Sequence, residues 1–144
     1  MSGMSGKNFA VLMAPFAPFK EPRRFAVAVS GGPDSLALVL LMNEWARSHN
    51  AAVVGLTVDH RLRTESTKEA EQVGSWLRHH HIPHHILTYE GEPIASRVQE
   101  RAREVRYHLL LSWCAANDIP TLLTGHHAQD QLETFFLRLS KGSG

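Results

Sequence analysis

The stretch Val27-Ala28-Val29-Ser30-Gly31-Gly32-Pro33-Asp34-Ser35 joins a short apolar run to two glycines, after which apolar helical periodicity resumes at once. That order is the signature of a strand, a tight turn and a helix. Adjacent glycines let backbone N–H groups approach a ligand without a Cβ in the way. Asp34 and Ser35 suit the start of a helix, where side-chain oxygens cap free N–H groups and the helix end favours an anion. The loop has neither the Lys-Ser/Thr pair of the nucleoside-triphosphate P-loop nor a GxGxxG pattern. Read from the residues alone, it is either a phosphate-holding turn or a strand-to-helix turn with ordinary capping.

Outward from this loop the chain alternates strands and helices. Phe25–Val29 is apolar throughout, as a strand buried on both faces of a parallel sheet would be. Ser35–Ser48 carries Leu36, Val39, Leu40 and Asn43 at helical spacing. Ala51–Val58 reads as a second strand and ends abruptly in Asp59-His60-Arg61-Leu62-Arg63. Thr64–His80 is a helix with a capping-box-like start at Ser66, Thr67 and Glu69. Ile82–Tyr89 is a third strand, and Ile94–Asn117 a long helix with Val98, Ala102, Val105, Leu109 and Trp113 on one stripe. Pro120–Thr124 is a fourth strand, followed by Gly125-His-His-Ala-Gln-Asp130. The spacing of Leu132, Phe135, Phe136 and Leu139 predicts a last helix over Asp130–Leu139. The expected fold is therefore α/β, a doubly wound parallel sheet with helices on both faces. Three strand ends carry polar chemistry at the edge where such sheets bind ligands.

Composition narrows the classes. The 144 residues hold 15 Lys and Arg against 14 Asp and Glu, a net charge of +1, so the chain carries no bulk electrostatic footprint for nucleic acid. No apolar run is long enough to span a membrane. The single cysteine, Cys114, forms no intrachain disulfide, fits a cytoplasmic setting and reads as a small buried residue. Residues 1–24, rich in Pro and Phe, read as a partly flexible N-terminal arm, leaving 25–144 as one domain. His79-His-His81 with His84-His85 matches no zinc spacing and reads as a solvated helix end.

At this point the motifs carry a resemblance. Ser30-Gly-Gly-Pro-Asp-Ser35 resembles the SGGxDS signature of the ATP-pyrophosphatase, or PP-loop, superfamily, whose fold is of the adenine nucleotide alpha hydrolase-like type. Val58-Asp-His-Arg-Leu-Arg63, Ala102-Arg103 with Arg106-Tyr107, Gly125-His-His-Ala-Gln-Asp-Gln-Leu-Glu-Thr134 and Leu137-Arg-Leu-Ser-Lys-Gly-Ser-Gly144 resemble, in that order, the tRNA(Ile)-lysidine synthetases. Gln129 departs from that pattern, which has an acid there. The family continues beyond the Gly-Ser-Gly segment into the remainder of the catalytic domain and tRNA-binding domains. The chain is thus expected to be the front part of a longer enzyme, with its domain incomplete at the C-terminal end.

The resemblance implies a ligase that adenylates the C2 oxygen of the wobble cytidine of a tRNA(Ile) with a CAU anticodon. Free lysine then displaces AMP to form lysidine. It implies ATP as co-substrate and Mg²⁺, held by Asp34 and Asp130. Ser30, Gly31, Gly32, Pro33, Asp34, Ser35, Asp59, His60, Gly125 and His126 are the nucleotide-binding candidates, and Asp34, Arg103, Asp130 and Glu133 the catalytic ones. Arg61 and Arg63 would meet tRNA phosphates. A homodimer and a cytoplasmic location, with no membrane partner, complete the expectation. Simpler roles stay open beside these: capping for Asp34, Asp130 and Glu133, a solvated face for Arg103 and Arg106, and packing for Tyr107. The alternatives are a nucleotide-binding fragment without catalysis, or another PP-loop ligase that modifies tRNA or forms an amide. The lone cysteine disfavours a cysteine-dependent thiolase.

Overall fold

The computed structural model describes residues 23–61, 64–126 and 131–136. The arm at 1–22, together with Arg63, His127, Asp130 and the closing segment 137–144, lies outside the described residues. Five strands form one sheet: β1 (Arg24–Ala28), β2 (Ala52–Asp59), β3 (His84–Thr88), β4 (Thr121–His126) and β5 (Gln131–Phe136). Three helices connect them: α1 (Pro33–Arg47), α2 (Thr64–His79) and α3 (Val98–Ala116). The strand order is β3-β2-β1-β4-β5.

Strand β1 is central and parallel to both neighbours, with Ala26 opposite Val54 on one side and Leu122 on the other. Phe25, Ala26, Val27 and Ala28 are all buried, which explains why this strand shows no polar alternation. Its odd residues face α1 and α2, where Phe25, Val27, Leu38, Val39, Met42, Trp45, Val73 and Leu77 share one core. Its even residues face α3, where Ala26, Ala28, Leu56, Leu110, Cys114 and Leu122 form a second. The sheet thus has helices on both faces, as expected. Cys114 lies in the second core, and burial pushes its thiol up to about 12.

The helices follow from their apolar spacing. In α1, Leu38, Val39, Met42, Trp45 and Ala46 make a broad buried face, and the ring of Trp45 meets Phe25 edge-on at 5.6 Å. In α2 a narrow stripe of Ala70, Val73 and Leu77 is buried, with charged residues elsewhere. Helix α3 begins four residues later than the spacing predicts. Arg97 has a left-handed backbone (φ 49°) that a continuing helix cannot accommodate, and its guanidinium pairs with Glu100 at 3.1 Å.

One expectation is overturned. The segment expected as a helix over Asp130–Leu139 contributes strand β5, antiparallel to β4, with Thr121 opposite Phe136 and His126 opposite Gln131. The apolar positions fit a helix, but Thr134, Phe135 and Phe136 also favour a strand. Here the outer edge of β4 supplies a ladder for the backbone. The sheet is accordingly four parallel strands closed on one side by an antiparallel edge.

Packing between sheet and helix is tight at Gly55 in β2. A Cβ there would lie 2.7 Å from Cδ1 of Leu77 and 3.5 Å from Cγ2 of Val29. Leu77 is fully buried and has nowhere to retreat. Gly55→Ala is expected to lower stability by about 1–3 kcal/mol, as overpacking does, read as a lower urea midpoint.

Candidate functional site

Strand β2 lies on one side of β1 and β4 on the other, so the connection out of β1 opens at the point where the strand order reverses. Crevices at such switch points are where open α/β sheets bind ligands. The turn out of β1 is short. Gly31 has φ of +91°, a region that L side chains rarely adopt, and a Cβ on it would also press to 3.3 Å from Cγ2 of Val73. Gly32 is the N-cap of α1, extended at φ −74° and ψ 156°, and Pro33 takes the first helical position, where its missing N–H costs nothing.

Two serines tie the turn together. The N–H of Ser30 donates to Oγ of Ser35 at 3.0 Å, and Oγ of Ser35 donates to the carbonyl of Gly32 at 3.1 Å. The two hydroxyl oxygens lie 3.2 Å apart, and the N–H of Gly32 points to Oγ of Ser30 at 3.5 Å. Gly32, the N-cap residue, has no side chain with which to cap the first turn of α1. That turn, together with the two hydroxyls and the positive end of a 15-residue helix, makes a cradle suited to an anion. Asp34, the second residue of α1, belongs to this turn by its place in the chain.

Beside the turn are two openings that share Ser30 and Glu69. One is a cavity of about 250 Å³ over the ends of β1 and β2, lined by Val29, Ser30, Leu56, Thr57, His60, Ser66, Glu69, Arg106 and Leu110 among others. The other is a groove of about 600 Å³ between α1 and α2, lined by Gly31, Gly32, Leu36, Glu69, Gln72, Val73 and Trp76 with Ser30.

The expected nucleotide-binding residues Ser30, Gly31, Gly32 and Ser35 are brought together by this turn, and His60 joins the cavity. Nδ1 of His60 is buried and has no hydrogen-bond partner among the described residues, a condition that a ligand atom would relieve. Asp59 is buried with both oxygens already engaged. Oδ1 accepts the N–H of Arg61 at 2.9 Å and Oδ2 accepts the hydroxyl of Thr67 at 2.7 Å. It therefore fixes the left-handed turn at Arg61 (φ 58°) and the first turn of α2, and through them the place of His60.

Arg103 and Arg106 separate. Arg106 is half-buried and lines the cavity, whereas Arg103 is exposed, its guanidinium 4.8 Å from the centroid of the Tyr107 ring. Gly125 and His126 end β4 on the same edge of the sheet, opposite Leu132 and Gln131 of β5. Glu133 is opposite Thr124 in that pairing, on a strand and not in the helix expected over Asp130–Leu139. Arg106 and Glu69 are the residues whose place is plain only in three dimensions. The available signal for Arg106 was its position one turn before Leu110, the residue of α3 buried against the sheet.

Residues 4–144 match the PP-loop domain family, and the chain belongs to that family. Over 137 residues it is 44% identical to the tRNA(Ile)-lysidine synthase of Orientia tsutsugamushi (strain Boryong), covering 95% of this chain and 31% of that protein. Over 121 residues it is 46% identical to the tRNA(Ile)-lysidine synthase of Wolbachia pipientis wMel, covering 83% of this chain and 28% of that protein. The chain thus spans under a third of the length of these curated relatives. A solved structure, the U34-tRNA thiolase NcsA from Methanococcus maripaludis with its 4Fe-4S cluster, shares the fold with a TM-score of 0.66 at 19% identity. That match covers 74% of this chain and 39% of the thiolase chain.

Burial holds the His60 imidazole below the usual histidine range, and Arg106 adds to this while Asp59 opposes it. His84 is lowered too, by burial first and then by His85 and Arg78. Between the lowered folded values and about 6.5, the unfolded chain binds protons that the folded one does not. Stability is therefore expected to fall as pH drops through about 6.5 and to level off below the folded values. Urea midpoints across pH 5–8 would show this, and His60→Gln should flatten the slope.

Proposed function

We propose that this chain is the nucleotide-binding part of an ATP-dependent ligase that converts the wobble cytidine of a CAU-anticodon tRNA(Ile) to lysidine. The observation that carries this is the Ser30–Ser35 turn at the switch point, with a helix N-terminus, two interlocked hydroxyls and a buried His60 nitrogen without a partner among the described residues in the adjoining cavity. Support for the particular reaction comes from the likeness to tRNA(Ile)-lysidine synthases over most of this chain.

On this reading the N–H groups of Gly31 and Gly32 and the Ser35 hydroxyl take the β and γ phosphates of ATP, the part that leaves as pyrophosphate. Hydrogen-bond donors fixed before reaction stabilise the charge that develops there without having to reorganise. The purine and ribose would occupy the cavity beside His60, and Arg106 would set its guanidinium toward the α-phosphate or the activated cytidine oxygen, where forked donors suit anionic oxygens. His60, held neutral by its burial, presents a ring nitrogen for hydrogen bonding rather than a charge.

Among the described residues no three His, Cys, Asp or Glu side chains form a metal cluster. Mg²⁺ commonly binds through one or two carboxylates together with substrate phosphates, and Asp34, which precedes Ser35 in the turn sequence, supplies a hard oxygen donor of that kind. With Mg²⁺ bound there, the negative charge gathering on the leaving pyrophosphate would be offset. Asp130 and Glu133 remain candidates for holding the lysine ammonium, for which carboxylates are natural partners. No described helix is long and apolar enough to cross a membrane, and a cytoplasmic location suits an enzyme acting on tRNA.

The test is pyrophosphate release by the full-length protein, which should require ATP, lysine and tRNA(Ile) together. Equal release with another tRNA or another amino acid would refute the assignment. Arg106→Ala and Asp34→Ala are each expected to slow release by about 10²-fold or more, the scale of losing one preorganised charge-stabilising contact.

A further inference from the structure

A chain of hydrogen bonds reaches the turn from β3, the outer strand of the sheet. Oγ1 of Thr57 in β2 donates to the carbonyl of Val29 at 2.9 Å. A threonine hydroxyl has a single proton, so at its 2.8 Å contact with Nε2 of His84 it must accept. His84 therefore carries its proton on Nε2 and donates. The peptide unit that receives the Thr57 proton at the Val29 carbonyl gives its own N–H, that of Ser30, to Oγ of Ser35, which donates onward to Gly32. A peptide unit is planar and turns as one body. Thr57 and Ser35 thus grip the same plane at its two ends.

Packing prepares this chain. Thr57 is buried. The His84 ring lies against Gly74 of α2, where a Cβ would come within 2.9 Å of Nδ1. The glycine in the middle of α2 leaves room for that ring, at the usual helical cost of a glycine. His84 is on β3, two strands away from the turn, and does not line the cavity.

We propose that Thr57 and His84 are positioning residues for the turn: by fixing the plane of the Val29–Ser30 peptide they hold Oγ of Ser35, and through its bond to the Gly32 carbonyl the start of α1, in place for a phosphate. This rests on the reading of Ser30–Ser35 as a phosphate-binding turn. Without the Thr57 hydroxyl the peptide can rotate, and Ser35 loses the N–H that fixes its orientation. Hydrogen bonds in series polarise one another, so the effect travels along the chain to the turn from His84, which lies outside the cavity, and from Thr57, which lines it but bonds to the Val29 carbonyl.

Calorimetric titration of this chain with inorganic pyrophosphate, and separately with ATP, tests the proposal. Thr57→Val keeps the side-chain shape and is expected to weaken both by about five- to tenfold, the size of one buried hydrogen bond. Thr57→Ser restores the hydroxyl and should return affinity to within about twofold. His84→Leu should weaken binding in the same direction, by about two- to fivefold, as its bond acts at one remove. In a Ser35→Ala background the cost of Thr57→Val should shrink to within about twofold, because the grip it supports is gone. A purely structural Thr57 would lower the melting temperature while leaving the affinity of the folded protein unchanged, and that outcome overturns the proposal. So does a His84→Leu variant with wild-type affinity. If Thr57→Val does not fold, Thr57→Ser and His84→Leu decide, along with amide exchange of the Ser30 N–H, which should quicken in His84→Leu. Failure of the unmodified chain to bind either probe would instead refute the phosphate-binding turn itself.

Discussion

The structure depends on how β1 leaves the sheet. This strand is buried on both faces and paired on both edges, so its chain must exit at the carboxyl end within a few residues and turn back as a helix. Gly31 makes that possible by taking a left-handed backbone that other residues resist. Once it does, α1 begins at Pro33, directly after the turn, and brings the positive end of its dipole to the exit from β1. The anion-binding character of the turn is thus a consequence of the fold's central crossover.

The neighbouring elements refine that consequence. Asp59 ends β2 and spends both carboxylate oxygens on organising the turn into α2, which fixes His60 in the cavity. Helix α3 crosses the other face of the sheet and brings Arg106 to the same cavity. Thr57 links the interior of β2 back to the turn. Two strands and all three helices thereby converge on one end of the sheet, and membership of the PP-loop family fits that convergence.

Much of this was legible in the sequence, for physical reasons that differ by residue. The apolar runs of β1 and β2 showed no alternation because helices cover both faces, and the glycine pair marked the turn. The C-terminal segment was misread because Leu132, Phe135 and Phe136 satisfy a helical period, while the choice between helix and strand was made by the open edge of β4, distant in sequence. Arg103 was the expected catalytic arginine, sharing a helix face with Arg106, and burial divides the two, since Arg106 and Leu110 line the cavity while Arg103 is exposed. Asp59 was expected at the nucleotide, and its oxygens accept the Arg61 N–H and the Thr67 hydroxyl. Hydrogen-bond partners of that kind leave no trace in spacing. The His79–His85 cluster resolved into separate uses. His84 bonds to Thr57, His85 lies 5.0 Å from the Trp113 ring, and His80 lies 4.5 Å from the Trp76 ring.

The central claim is that the Ser30–Ser35 turn holds the terminal phosphates of ATP. A crystal structure of the chain with α,β-methylene ATP, which cannot be split between its α and β phosphates, tests it most directly. The account predicts β and γ phosphate oxygens within hydrogen-bonding distance of the Gly31 and Gly32 N–H groups and the Ser35 hydroxyl, with the purine in the cavity beside His60 and Arg106. Phosphates bound away from the turn, or a purine seated instead in the Trp76 groove, would contradict it.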